Sequence, residues 1–524
     1  MLSTFPFYLG LIAVILLLIM LANKIKVAYP VLLVVAGLGI SFIPGIPTLH
    51  IDAELIFIIF LPPLLYEASW SISWKELWKW RRIITSFAFI VVFFTALSVA
   101  LVSNYFIPGF SLALGFLLGG IVSPPDAVSA GAILKFVKVP RRFSSILEGE
   151  SLLNDASSLI IFRFAMIAVA TGQFIWHEAA LSFTWMLVGG TGIGLLVGLI
   201  IMKLHKYLPT DANTDIVLTL LTPYVMYIAA EEVHSSGVLA VVSGGLLLSY
   251  KRLGFLSSSS RLRGVNVWES LTFVLNGLVF MLIGLDLPEI TEGLGDTSIG
   301  TAIGYGLLIT AVLIVARMLS AIGAVVTTLI ARNFITVADA SNPGIRAPLV
   351  LGWSGMRGVV SLAAALSIPV QLADGTAFPQ RNLILFITFV VILTTLLLQG
   401  LTLPWMIKKL DMPDPDFIMP HDELYKKIRK KLSGFALNEL RTSYADALNR
   451  QPVLQQIARK WEDTDAATDD TALMTDEAKT VYRDILDRQR VWLTDKNNNS
   501  NIDEEIIRKH LLYLDLEEEK IELL

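Results

Sequence analysis

Apolar runs of about 18–20 residues, enough to cross a hydrocarbon layer, recur from the start of the chain to about residue 410. Hydropathy and the interrupting loops predict about thirteen spans, near residues 6–22, 28–46, 54–71, 83–107, 111–135, 144–170, 180–203, 214–231, 236–250, 268–288, 299–330, 346–369 and 382–407. The first lacks the basic start and small-residue cleavage site of a signal peptide, so it reads as a span that is retained. Beyond residue 410 the pattern changes. Charged positions run throughout 411–524, and apolar residues at helical spacing over 422–441 and 477–492 predict helices. The loop Asn497-Asn498-Asn499-Ser500-Asn501 precedes a last helix near 503–514. The expected organisation is a transmembrane domain over 1–410 and a helical cytoplasmic domain over 411–524.

Composition sharpens that picture. The chain is 54% hydrophobic and only 16% charged, against about 25% charged in ordinary globular chains. The net charge of −4 averages two unlike regions and says little about partners. Without cysteine, a disulfide framework, thiol catalysis and Cys-ligated metal are excluded. No nucleophile–base set points to an enzyme, and the scattered basic residues give no support for nucleic-acid binding.

Basic residues test the span parse independently. Taking alternate loops, one set holds twenty lysines and arginines, from Lys24 and Lys26 to Lys408 and Lys409, and the other only Arg381. The positive-inside rule makes the first set cytoplasmic. The N-terminus is then outside and the tail inside, as expected of a multi-pass protein of a plasma membrane.

An odd span count permits two six-helix halves joined by a seventh helix and inverted relative to each other, which pairs the fifth span with the twelfth. Both carry breakers. The fifth contains Ser123-Pro124-Pro125-Asp126, and the twelfth Gly352-Trp353-Ser354-Gly355-Met356-Arg357-Gly358. Two prolines remove two backbone donors, and three glycines loosen the other helix. The predicted fold is an all-α membrane protein with crossed, discontinuous helices at spans 5 and 12.

Charges inside such spans cost about 2.5–3.5 kcal/mol each on the gentlest scale. The mid-span candidates are Glu67, Asp126, Glu148, Glu150, Asp155, Arg163, Arg317 and Arg357. Pairing that merely fixes helix packing is the simplest reading of one acid and one base. So many charges, concentrated on broken helices, favour an ion pathway. Where interrupted helices cross, like ends face like ends, each carrying about half a charge. Asp126 among the N-termini and Arg357 among the C-termini neutralise both, a structural role.

The reactive group is placed in the sixth span, Glu148-Gly149-Glu150-Ser151-Leu152-Leu153-Asn154-Asp155. Asp155 lies thirteen residues beyond Arg142, about 20 Å at ~1.5 Å per residue, near the bilayer middle. Ser151, four residues earlier, shares its helix face. Asn154 is the adjacent neutral oxygen donor, and Glu67 follows Pro62-Pro63 on a third span read as broken. Away from water a carboxylate is driven to be neutralised by a proton or by a bound cation. A protein that changes its open side only when that group is occupied becomes an obligatory exchanger. One aspartate beside an asparagine gives one charge in for one out, tempered by Glu67, a second group able to titrate.

At these residues the chain resembles the monovalent cation:proton antiporters, sodium/proton exchanger branch, over roughly residues 6–410. The resemblance rests on Glu150-Ser151-Leu152-Leu153-Asn154-Asp155, on Ser123-Pro124-Pro125-Asp126-Ala127-Val128 and on Gly355-Met356-Arg357-Gly358. It implies a homodimer with a mobile six-helix transport half. It implies Asp155 as the essential carrier, Ser151 and Glu67 as further cation ligands, and Asn154 as the residue holding the site together. It further implies that Glu150 pairs with Arg317 and that Asp126 and Arg357 are the crossover charges. Related archaeal exchangers carry a threonine where this chain has Pro125, which leaves a carbonyl and no hydroxyl. The expected substrates are Na⁺, or another alkali cation, and H⁺, with no cofactor. A potassium/proton exchanger, a cation channel and a membrane-anchored sensor are the competing readings, and Arg163 has no assigned role. The acidic stretch 463–476 lacks the ordered spacing of a calcium loop.

Overall fold

The computed structural model describes residues 5–43, 53–134, 137, 139–172, 176–285, 287–295, 297–331, 346–372, 375–410, 421–466, 476–497 and 504–522. These fold as helices, with one isolated β-bridge between Gln371 and Ala377. Two compact units divide the chain, Met1–Asp414 and Pro415–Leu524. The expected boundary at 410/411 falls beside residues 411–420, which lie outside the described ones.

The first unit opens with α1 (Phe5–Ile25), α2 (Tyr29–Ser41), α3 (Ala53–Ser71) and α4 (Trp74–Thr85). A π-helical turn, Ser86–Val91, joins α4 without a break to α5 (Val92–Phe106). Next come α6 (Leu112–Val122), α7 (Ala127–Leu134), α8 (Arg141–Thr171), α9 (Trp176–Tyr207), α10 (Ala212–Glu232) and α11 (Gly237–Lys251). The unit closes with α12 (Ser258–Leu285), α13 (Leu287–Glu292), α14 (Ile299–Ala331), α15 (Arg346–Trp353), α16 (Val359–Leu366) and α17 (Arg381–Leu410). Among the described residues, six helical segments are long and apolar enough to cross a membrane: Trp74–Phe106, Arg142–Thr171, Ala180–Tyr207, Ser258–Leu285, Ile299–Thr327 and Arg381–Leu410. The chain is a multi-span, all-helical membrane protein.

The breakers act unevenly. The expected fifth span is divided into α6 and α7 around Ser123-Pro124-Pro125-Asp126, and the twelfth into α15 and α16. Pro62 and Pro63, by contrast, lie inside α3, which runs on through them. Glu67 is therefore on a continuous helix, and the expected break there is corrected. Neighbouring helices can re-satisfy the carbonyls that a proline frees within a bilayer, so a proline pair alone does not settle the outcome.

The helices sort into two packing groups. In one, α4, α5, α6 and α8 pack with α14, α15, α16 and α17. Its closest seam lies between α5 and α6, where a Cβ added to Gly119 would meet the Ala96 carbonyl oxygen at 2.5 Å. In the other, α11 packs on α3, α9 and α10, while the α2–α12 pair adds its apolar residues to the core of the first group. Leu152 and Ala156 of α8 join the apolar core of this second group, alongside Leu65, Tyr66, Met226 and Trp268. One face of α8 thus lies at the boundary between the groups.

The second unit comprises α18 (His421–Ser443), α19 (Ala445–Arg450), α20 (Pro452–Ala466), α21 (Asp476–Asn497) and α22 (Glu504–Glu522). Leu437, Leu440 and Ala458 form one small core, and Leu486, Leu493, Ile507 and Leu514 another. Arg490 of α21 donates to Asp487, Asp515 and Glu518, tying α21 to α22. Most of the asparagine-rich loop and of the acidic stretch, residues 498–503 and 467–475, lies outside the described residues.

Candidate functional site

Two interrupted helices meet at their breaks. The Asp126 N–H donates to the Met356 carbonyl at 2.7 Å, so one gap is tied to the other through the backbone. Asp126 caps α7: Oδ1 accepts from the Val128 N–H at 2.9 Å, and Oδ2 accepts from the Ser129 hydroxyl at 2.6 Å and N–H at 3.4 Å. A negative charge at a helix N-terminus meets both the free donors and the positive end of the dipole. Arg357 does the converse for α6. Its Nε donates to the Val122 carbonyl at 2.7 Å and an Nη to the Ser123 carbonyl at 3.3 Å, the oxygens left free where that helix stops.

The glycines of the second gap make this approach possible. A Cβ at Gly358 would lie 2.1 Å from Asp126 Oδ2, and one at Gly355 would lie 2.4 Å from Arg317 Cδ and 2.8 Å from an Arg357 Nη. Any side chain there would displace the charges themselves.

α8 carries the other acids, and their surroundings differ sharply. Glu150 is wholly buried and takes both Nη groups of Arg317 from α14, at 2.7 and 2.9 Å. Asn154, also wholly buried, donates from Nδ2 to the Pro125 carbonyl at 3.1 Å, and among the described residues its Oδ1 has no hydrogen-bond partner. The Pro125 oxygen, read as a cation ligand, is thus at least half committed to holding α8 against the first gap. Asp155 is 7% exposed. Among the described residues, no hydrogen bond or ion pair engages its carboxylate. Ser157, half a turn on, donates to the carbonyls of Asn154 and of Ala88 in the π turn, fastening α8 to the α4–α5 junction.

The remaining sequence candidates divide. Ser151 lies one turn before Asp155 on α8 and is half-buried, as is Glu67 on α3; both have interactions of their own. Tyr66, beside Glu67, is buried against Trp70 and Trp268 with its hydroxyl unpartnered. Glu148 is exposed, two turns into α8, and does not join the buried charges. Arg163 pairs with Glu231 of α10, sixty-eight residues away. The sequence reading missed Glu231, and it missed a second buried polar cluster. There His205 Nδ1 contacts Asp215 Oδ1 at 2.7 Å, and the Ser260 hydroxyl donates to Asp215 Oδ2 at 2.6 Å. Asp215 stands one helical turn beyond Asp211, whose side chain caps α10, so an acid-rich helix start concealed a buried group.

Individually partnered charges at two helix breaks thus lie beside a carboxylate with no described partner, in a multi-span helical membrane protein. The sequence profile described as "Sodium/hydrogen exchanger, transmembrane" matches residues 10–409. A sodium, potassium, lithium and rubidium/H(+) antiporter of Bacillus pumilus is 35% identical over 435 residues, covering 80% of this chain; the chain spans 63% of that relative's length. An uncharacterized Na(+)/H(+) exchanger of Mycobacterium tuberculosis is 31% identical over 526 residues, covering 97% of this chain and 94% of its own. The solved structure of the sodium proton antiporter of Methanocaldococcus jannaschii at pH 8 superposes with a TM-score of 0.63 at 18% identity, over 78% of this chain and 99% of that one. The chain belongs to the sodium/hydrogen exchanger family.

Proposed function

We propose that this protein exchanges a monovalent cation for a proton across a membrane by alternating access, with Asp155 as the group the two ions share. One observation carries the reading. The other acids beside the breaks have their own counter-charge, the buried Glu150 in Arg317 and the half-buried Asp126 in the start of α7, while among the described residues Asp155 has none. A carboxylate away from water and without a basic partner takes its neutralising charge from solution. A proton or an alkali ion does this equally well, and never both together.

Asn154 Oδ1, buried and unpartnered, is an oxygen available beside it. Ser151 and Glu67 complete the proposed cation ligands, with the Pro125 carbonyl contributing through its second lone pair. Asp126, Arg357, Glu150 and Arg317 hold the frame. Sodium is the first substrate. The Bacillus pumilus relative is named for potassium, lithium and rubidium as well, which supports potassium as a second. The finer architecture belongs to the same proposal: thirteen spans in two inverted halves, broken helices crossing at Asp126 and Arg357, a transport half that moves, and a homodimer. So do the division at residue 410, a plasma-membrane location with the N-terminus outside and the tail in the cytoplasm, and one-for-one stoichiometry.

Purified protein in vesicles loaded with a pH-sensitive dye tests this directly. Adding sodium outside an acid-loaded vesicle drives protons out at a rate that saturates with sodium and ignores an imposed voltage. Asp155→Asn gives folded protein and no flux. Undiminished flux in that variant removes Asp155 as the carrier, and a current without coupled proton movement replaces the exchanger with a channel.

A further inference from the structure

Arg163 lies eight residues beyond Asp155 on α8, about 12 Å further along the axis at ~1.5 Å per residue. The displacement is away from the basic loop at the start of α8. Its partner Glu231 closes α10, and Glu231 Oε1 also accepts from the Gly237 N–H at 3.1 Å. The acid is thereby fixed to the corner between α10 and α11, in the second packing group, while Arg163 belongs to the first. The pair therefore bridges the groups. It also lines a cavity of about 520 Å³, walled by Tyr227 and Ile228 of α10 and by Leu159, Ile160 and Phe162 of α8. Leu159 is one turn from Asp155, so the cavity reaches to within a turn of the carboxylate on that side.

We propose that Arg163 and Glu231 form a latch across the two helix groups, an ion pair that parts for Asp155 to be reached from the side away from the basic loops. This rests on the exchange reading above. Two features suit the pair to opening. Its side chains are 41% and 31% exposed and line the cavity, so the contact is weaker than a buried pair, and water entering that cavity takes up each group when they separate. The Glu150–Arg317 pair, buried on both sides, stays closed. Glu231 and the adjacent Glu232, both lining the cavity, also make its mouth attractive to cations once Arg163 withdraws.

The absence of native cysteine makes the test clean. Arg163→Cys and Glu231→Cys are combined, and the reconstituted protein is bridged with a short bifunctional thiosulfonate or with a long flexible one. The reduced double variant sets the reference rate. The latch requires that the short bridge stop exchange, that a thiol reductant restore it, and that the long bridge leave it running. Exchange continuing under the short bridge overturns the proposal, as does equal arrest by the long one, which indicates plugging. Failure of any bridge to form shows that the contact is not made and also overturns it. Wild-type vesicles with no exchange at all would instead sink the exchange reading, so the two failures are distinguishable. A second readout excludes a merely structural role. Arg163→Ala favours the state open on the latch side, so the sodium KM falls when measured from that side and rises from the other, each by about 3–10-fold for a loosened two-state equilibrium. Equal loss in both directions overturns the latch.

Discussion

Removing Glu150 while leaving Arg317 in place strands a guanidinium that is 2% exposed. The loss can be sized from the contacts. Two charge-assisted hydrogen bonds, at 2.7 and 2.9 Å, disappear, and such bonds contribute about 1.5–3 kcal/mol each. Among the described residues Arg317 Nε has no hydrogen-bond partner even with Glu150 in place. Across Gly355 lies the second buried guanidinium, Arg357, and without Glu150 the two repel through a low dielectric. Glu150→Ala is expected to lower unfolding free energy by about 3–5 kcal/mol, the usual cost of breaking a buried pair from one side. Unfolding by SDS titration in mixed micelles measures it. The compensated variant decides the meaning. Glu150→Leu with Arg317→Met removes both charges at similar volume, and such replacements are neutral or stabilising by about 1–4 kcal/mol. If the pair only locks α8 to α14, the compensated protein recovers wild-type stability and exchanges within a few-fold of the normal rate. A Glu150→Ala protein as stable as wild type refutes the energetic argument. A compensated variant that is stable but inactive refutes the assignment of the pair to the frame.

Three further outcomes follow from the geometry. Gly358→Ala drives a Cβ into Asp126 Oδ2 and is expected to cost about 1–3 kcal/mol, as overpacking does; Gly10→Ala, with open space around it, serves as the neutral control in the same thermal-unfolding assay. Asn154→Ala removes the tie to Pro125, worth about 1 kcal/mol, and should raise the sodium KM in vesicles more than it lowers the melting temperature; the reverse pattern reduces Asn154 to packing. Asp215→Ala removes the only described side-chain hydrogen-bond partner of His205 and should destabilise by about 1–3 kcal/mol without changing cation selectivity, which paired unfolding and flux measurements check.

What the chain revealed in advance depended on how local each cause was. The gaps before Ala127 and Val359 were legible because Pro124-Pro125 and the cluster of glycines act on their own backbone. Glu150 and Asp155 stood out because a charge in an apolar run is costly wherever it faces. The same reasoning failed at Pro62-Pro63, where neighbouring helices let α3 run on, and at Glu148, whose exposure depends on which way its turn of α8 faces. Arg163 could not be interpreted alone, since its meaning lies in Glu231, a residue at the end of another helix. Nothing in Ser86-Phe87-Ala88-Phe89-Ile90-Val91 marks a widened turn. It is an apolar stretch like α5 after it, and what marks it in the fold is its packing, with Ala88 accepting from Ser157 and Phe87 and Val91 set against Ala321 of α14.

That widened turn sets the phase of everything after it. An α-helix advances about 100° per residue at 3.6 residues per turn, whereas a widened i→i+5 turn takes up about one residue more, so rewinding all six residues of Ser86–Val91 as regular α-helix would swing α5 by about that angle relative to α4. Ala96 would then point away from Gly119, and the tight seam between α5 and α6 would come apart even though no residue in it had changed. The segment works as a vernier: a single extra residue upstream decides which side of a fifteen-residue helix meets its neighbour.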